Sequence, residues 1–337
     1  MKDNFFRVID YLRLSVTDRC NLRCIYCMPA EGIQPFGHSD ILSYEEIVRI
    51  VRVAAELGVR KVRITGGEPL TRKNLPFLIS EIRKISGIED LSMTTNGILL
   101  ERHAQELADA GLNRVNISLD SFNPERYREI TRGGDLDAVL RGLEAARKAG
   151  LAPIKINMVP VRGINEDEIE AFAKMTLDSD CHVRFIEFMP SGTAESWGPE
   201  KYITTGEMQE IIGKIAPLEP VRVRKNGPSK YFRLQGARGV IGFISALSHH
   251  FCRECNRLRL TPEGKLRPCL FSETEIDLRS PIRTGASDDE IARLLRLSIA
   301  VKPEGHTINS TSAAGKASPC SGQAAPEQKR PMSRIGG

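Results

Sequence analysis

The 337-residue sequence contains no long apolar run; nothing in it approaches the ~18 consecutive apolar residues that read as a membrane span. Its start, MKDNFFRVIDYLRLSV, has neither the apolar core nor the small-residue cleavage site of a signal peptide, so a cytoplasmic protein with no membrane contact is expected. Aromatic residues are sparse, 6% with a single Trp, and the net charge is only +5, from 48 Lys and Arg against 43 Asp and Glu. No aromatic-interleaved basic face of the kind that grips nucleic acid is on offer. The mild positive balance suits a small anionic ligand instead. Hydrophobic content of 41% and charged content of 27% are those of an ordinary globular protein. The length allows one large domain with an appendage, or two domains. Cysteine, by contrast, is plentiful. Eight of them without a secretory start point to metal or redox chemistry rather than to a disulfide framework.

Six of the eight fall into two groups of three. Cys20, Cys24 and Cys27 stand at Cys-x3-Cys-x2-Cys spacing directly after the strand-like run from Tyr11 to Val16, with the aromatic Tyr26 before the last of them. A tetrahedral zinc site wants four protein ligands and a [4Fe–4S] cluster has four corners to cap. Three thiolates therefore leave one metal position open, as a site that binds substrate at metal requires. A zinc ion with a distant fourth ligand, or a redox Cys-x2-Cys with a bystander, are the other readings. The second group is Cys252, Cys255 and Cys269, in which a Pro262-Glu263-Gly264 turn between two strands would fold Cys269 back beside the first two. On spacing alone, zinc with His249 or His250 as fourth ligand and a second iron–sulfur cluster are both open. Arg257 and Arg259 follow on an extended segment and point the same way, because side chains alternate with period two. Two guanidiniums beside an open metal suit a phosphorylated ligand. Cys181 and Cys320 stand apart, as a buried apolar thiol and a free tail thiol.

Between the two groups runs a regular rhythm. Ser43-Tyr44-Glu45-Glu46 reads as a capping box opening a helix that Gly58 stops, and Lys61 to Thr65 is then a short strand ending in Gly66-Gly67-Glu68-Pro69. The pattern continues with helix 74–86, strand 90–95, helix 101–110, strand 114–119, helix 135–149, strand 154–159, helix 166–177 and strand 183–188. With the first strand, six βα units are counted over 1–200. Each strand carries a polar cap at its C-terminal end: the first cysteine group, Gly66 to Pro69, Thr94 to Gly97, Ser118 to Asp120, Lys155 with Asn157, and Glu187 to Pro190. Six caps on one edge predict one shared pocket there, whether the sheet is open or closed into a barrel. The Gly66-Gly67 pair is expected to let backbone approach a ligand closely. From about 200 the rhythm breaks. A helix near 205–215, strand-like runs at 219–224, 230–234 and 239–245, the second cysteine group and a helix at 288–299 make a smaller α+β extension over 201–300. A tail, 301–337, is rich in Ser, Ala, Gly and Pro over 304–330 and is read as loosely ordered before it ends in Gly336-Gly337.

The Cys-x3-Cys-x2-Cys spacing with its aromatic resembles the radical S-adenosylmethionine (SAM) superfamily. Adding Cys252-x2-Cys255-Asn256-Arg257-x-Arg259, Cys269 and the terminal Met332-Ser333-Arg334-Ile335-Gly336-Gly337, the chain resembles the GTP 3′,8-cyclase family, from Leu12 to Leu297 and over its last six residues. The resemblance implies an incomplete (β/α)6 TIM-like barrel whose C-terminal α+β extension carries a second cluster. It implies two [4Fe–4S] clusters, on Cys20, Cys24 and Cys27 and on Cys252, Cys255 and Cys269, with SAM at the first, contacted by Tyr26, Gly67, Ser118 and Met189. GTP contacts would fall on Arg13, Arg63, Thr94, Lys155, Arg257 and Arg259, and Arg257, Arg259, Gly336 and Gly337 would act at the reacting nucleotide. The activity implied is that of a lyase catalysing the first step of molybdenum-cofactor biosynthesis, often as a homodimer. Its product passes to a cyclic pyranopterin monophosphate synthase, and no residue shows the electron donor. A peptide-modifying radical SAM enzyme is the nearer rival, although such enzymes usually bring more C-terminal cysteines. A zinc-stabilised nucleic-acid-binding module is the rival from a different class.

Overall fold

The computed structural model describes residues 1–189, 197–223, 227–306 and 331–335. Its core is a repeated strand–helix unit: β1 (Tyr11–Ser15), α1 (Tyr44–Glu56), β2 (Lys61–Thr65), α2 (Leu75–Arg83), β3 (Asp90–Thr95), α3 (Leu100–Asp109), β4 (Arg114–Ser118), α4 (Pro124–Thr131), α5 (Leu136–Lys148), β5 (Lys155–Met158), α6 (Ile169–Asp178) and β6 (His182–Ile186). These six strands are parallel neighbours in sequence order. The capping box of α1 is present, with Glu46 N–H donating to Ser43 Oγ and Ser43 N–H to Glu46 Oε2. Gly58 ends that helix in the left-handed conformation, φ +100°.

The rest of the chain completes the sheet from both sides. After α7 (Thr205–Gly213) come β7 (Leu218–Pro220), β8 (Lys230–Leu234) and β9 (Val240–Ile244), then β10 (Arg257–Leu260), β11 (Lys265–Arg267) and β12 (Ile276–Asp277), then α8 (Arg279–Arg283) and α9 (Asp288–Ala300). Among the described residues the strands form one sheet in the order β12-β11-β10-β1-β2-β3-β4-β5-β6-β9-β8-β7. β9 joins β6 and β10 joins β1, both in parallel. The runs expected to form a smaller extension thus continue the partial barrel's own sheet on its two edges, while the outer hairpin strands turn antiparallel.

Alternation along the strands sorts the two faces. Leu12, Leu14, Val62, Ile64, Leu91, Met93, Val115, Ile117, Ile156 and Val183 point out and are buried against the helices in one continuous core. The residues between them, Tyr11, Arg13, Arg63, Ser92, Asn116, Lys155, Asn157 and Arg184, point inward and are polar. A barrel interior is ordinarily filled by branched apolar side chains. Here it is lined with charge, and an apolar core outside holds it in place.

Two differences from the expected elements have physical causes. Helix α4 had no place in the simple βα rhythm. Asn123 caps it by accepting from Glu125 and Arg126 N–H, Pro124 stands at its first position, and Arg132 closes it at φ +53°. Its mean composition is polar, which hid it; it is held by Tyr127 and Ile130, both buried. The tail is anchored at both its ends, with Lys302 4% and Ile335 5% exposed, while 307–330, including Cys320, lie outside the described residues. Cys181 is buried as expected.

Candidate active site

The first cysteine group sits on a loop leaving the C-terminal end of β1. Its backbone is held by Arg23 N–H to Thr131 O (3.1 Å) and Ile25 N–H to Ile130 O (2.9 Å), so the unexpected α4 is its buttress. The Gly66-Gly67 turn lies against the approach to the same loop. Gly67 N–H donates to Thr17 O at 2.7 Å and Glu68 N–H to Arg19 O at 2.8 Å. A Cβ on Gly67 would stand 2.3 Å from the Arg19 carbonyl oxygen, so the missing side chain serves chain-on-chain packing before any ligand. Glu68, 1% exposed, takes N–H bonds from Leu70 and Asn96 and a hydroxyl bond from Thr95, tying two strand-end caps together. Burial pushes its pKa up to about 7. The Tyr26 phenol donates to Asp120, whose pKa burial lifts to about 6.

The second group lies at the other end of the barrel. Cys255 precedes β10, which runs parallel to β1, and Cys269 follows β11, which runs antiparallel to β10 with Arg259 opposite Arg267. The predicted strand–turn–strand fold is present. Glu187, expected as a pocket cap, is instead a brace for the approach to this group, accepting from Thr205, Leu247 and Ser248 N–H at 2.9, 2.8 and 3.0 Å.

A cavity of about 360 Å³ joins the two ends. Its lining includes all six cysteines, and Tyr26, Gly67, Ser118 and Met189 beside the first group. Arg13, Arg63, Thr94, Lys155, Arg257 and Arg259 line it too, so the residues picked from the sequence are brought together. Gly336 and Gly337 lie outside the described residues, but Met332 and Ser333 of the same tail reach the cavity wall. Arg334 fastens that tail, donating to Gln34 O and stacking 4.5 Å over the Phe36 ring. Asp120 and Asn157, read as strand-end caps, face the cavity as expected, whereas Lys61, Arg114, Arg184 and Lys302 also face it and were missed. The signal for Arg184 was present in the alternation His182, Arg184, Ile186 along β6.

The cations crowd one another. Burial, with Arg259 beside it, pulls Arg13 well below the usual arginine range. Burial brings Arg63 and Arg259 down to about 10, and burial together with Arg184 and Arg114 takes Lys155 down to about 6. With its amide oriented to satisfy both neighbours, Asn116 Oδ1 accepts from Arg63 (2.5 Å) and Arg184 (3.3 Å). Arg114 is paired with Asp90, and Nη2 of Arg257 and Oδ1 of Asn157 are buried with no hydrogen-bond partner. A polyanion is the ligand that such a wall stabilises most.

The three thiols of each group are a donor set that could hold an iron–sulfur cluster. None of the six is in a disulfide. Among the described residues no three Cys, His, Asp or Glu side chains are already gathered around one metal position. Burial pushes Cys20 up to about 11 and Cys27 up to about 12, and lifts Cys24 well up. At the other end burial opposes, and Arg257 and Lys302 outweigh it, so that Cys255 falls to about 7.

Comparison with known proteins agrees with this site. The model of the Radical SAM superfamily matches residues 14–176, and that of Molybdenum Cofactor Synthesis C matches residues 181–308. A GTP 3′,8-cyclase of Thermodesulfovibrio yellowstonii is 50% identical over 100% of both chains. One of Moorella thermoacetica is 48% identical, again over 100% of both. Among solved structures, Streptococcus suis SuiB bound to S-adenosylmethionine superposes with a TM-score of 0.60 at 17% identity, over 81% of this chain and 64% of that one, a likeness of fold alone. With full-length identity near one half and both halves matched, the chain belongs to the GTP 3′,8-cyclase family of the radical SAM superfamily.

Proposed function

We propose that this protein converts GTP to (8S)-3′,8-cyclo-7,8-dihydroguanosine 5′-triphosphate, a lyase reaction that opens molybdenum-cofactor biosynthesis. The observation that carries the reading is a single cavity with a cysteine triad at each end and a cationic wall between. The [4Fe–4S] cluster on Cys20, Cys24 and Cys27, with SAM, supplies a carbon radical able to remove a ribose hydrogen. Tyr26, Gly67, Ser118 and Met189 hold SAM; their shared lining of the cavity beside the first triad supports that role. Arg13, Arg63 and Lys155 hold the triphosphate, and Thr94 accompanies them. Charge-assisted bonds of this kind contribute roughly 1.5–3 kcal/mol each. Arg257 and Arg259 orient the nucleotide at the second triad, whose three thiolates would hold a second [4Fe–4S] cluster. GTP fixed in this way gives up its C3′ hydrogen to the carbon radical, C3′ bonds to C8 of the guanine, and one electron from the external reductant with one proton completes the 7,8-dihydro ring. Radical chemistry of this sort needs the target carbon held in contact and water kept out. The tail, with Gly336 and Gly337 as its last residues, serves that closure at the substrate.

No helix among the described residues is long and apolar enough to cross a membrane. We place the enzyme in the cytoplasm, as a homodimer that hands its product to a cyclic pyranopterin monophosphate synthase. The test is an anaerobic assay of the reconstituted protein with SAM, dithionite and GTP. 5′-Deoxyadenosine and a cyclic GTP product should appear together, and the second should vanish with ATP or without SAM. Deoxyadenosine with no nucleotide product would require another substrate.

A further inference from the structure

Beyond the strand cations, one buried cation grips the framework of the second triad. Lys302, just after α9, is 4% exposed. Its Nζ donates to Arg257 O at 2.9 Å and to Pro268 O at 2.5 Å. The two carbonyls stand at telling points. Arg257 is two residues beyond Cys255, and Pro268 directly precedes Cys269. Lys302 therefore clasps the ends of β10 and β11 where the two cysteines leave them. Burial opposes its charge; the thiols of Cys255 and Cys269 favour it. The neighbouring cation is different in kind. Arg7 reaches Cys252 O, Glu304 O and Pro303 O, but its charge is matched by Asp3 at 2.6 Å. Lys302 finds its negative charge on the cysteine sulfurs.

We propose that Lys302 is a positioning residue of the second iron–sulfur site, fixing Cys255 relative to Cys269 and raising the reduction potential of the cluster held there. This rests on the reading of the second triad as a cluster site. The physics is that one electron added to a cluster makes it more negative, and a buried cation beside the ligating sulfurs stabilises that reduced form. The residue acts through Cys255, not on the nucleotide.

The experiment uses the full chain carrying Cys20→Ala, Cys24→Ala and Cys27→Ala, so that only the second site is loaded. After anaerobic reconstitution, iron is counted and the cluster is titrated with dithionite while its EPR signal is followed. Lys302→Gln and Lys302→Met should keep the iron but shift the one-electron reduction equilibrium about tenfold toward the oxidised form, a potential lower by about 59 mV. Lys302→Arg should stay near the parent. Iron lost from Lys302→Met but kept by Lys302→Arg also supports the proposal, through its positioning half. An unchanged potential in both uncharged variants, or iron lost even from Lys302→Arg, would overturn it. If the parent with Lys302 intact takes up no cluster, the reading of the triad fails first, and that is seen before any change at Lys302.

Discussion

The two cysteine triads share a cavity and little else. The first has the acids Glu68 and Asp120 beside it, with Arg23 of its own loop on the Cys20 carbonyl, and burial raises its thiols. The second is set among cations, with Arg257 and Lys302 drawing Cys255 down to about 7. Surroundings that disfavour added negative charge suit a cluster that must be a strong reductant, as cleavage of SAM demands. Surroundings that favour it suit a site whose task is to hold an anionic nucleotide. One fold thus places opposite electrostatics at the two ends of the same parallel strands. The difference teaches that what distinguishes the two sites is their neighbours and not their ligands, since both offer three thiolates.

The sharpest break in this comparison comes from removing each triad in turn. Ala at Cys20, Cys24 and Cys27 should abolish deoxyadenosine formation, by at least about a thousandfold. Ala at Cys252, Cys255 and Cys269 should leave measurable SAM cleavage while abolishing the nucleotide product. Deoxyadenosine and product analysis on both variants would show it, and equal loss of SAM cleavage in the two would erase the distinction. Next in size, Arg257→Ala with Arg259→Ala should weaken GTP binding by at least about a hundredfold, from two charge-assisted bonds of roughly 1.5–3 kcal/mol each. Part of the SAM cleavage should survive. An unchanged Kd for GTP by equilibrium dialysis would count heavily against the cationic end as the nucleotide site.

A smaller effect is expected at the first end from Gly67→Ala. The new Cβ would meet the Arg19 carbonyl carbon and oxygen, which are backbone and cannot swing away. Such overpacking costs about 1–3 kcal/mol and should lower the Tm and the iron content of the first site, sparing the second. The smallest effect is a pH dependence. Lys155 at about 6 is largely neutral at pH 8 in the free protein, and a bound triphosphate raises its pKa. GTP binding should then take up close to one proton above pH 6, and affinity should fall by up to about tenfold per pH unit as pH rises. Calorimetry in two buffers of different ionisation enthalpy reads the proton count. No uptake would mean that Lys155 does not face the phosphates.

Much of this was legible in the sequence because period-two and period-3.6 patterns directly encode which face of an element is buried. The six parallel strands, the capping box at Ser43 and the fold-back of Cys269 were read from such patterns. Helix α4 was not, because its polar surface gives no apolar stripe and its cap is a single Asn-Pro. That β9 and β10 close onto β6 and β1 was hidden too, since partner choice between distant strands leaves no local signature. At the site, motif spacing found the cysteines, period-two alternation paired Arg257 with Arg259, and Arg13, Arg63 and Lys155 came only from the family resemblance. Arg184 was missed although the alternation along β6 turns it inward, and Lys302 because it follows a helix with no motif around it and becomes interpretable only beside its neighbours. The Gly66-Gly67 turn was read as a place for ligand; its first constraint, contact with Thr17 and Arg19 backbone, is tertiary.

The division of labour between the two ends is tested most directly by EPR of singly loaded protein. With only the second cluster present, GTP should change the EPR spectrum of the reduced cluster and SAM should not. With only the first present, SAM should change it and GTP should not. A GTP response at the first cluster alone, with the second indifferent to nucleotide, would contradict the account.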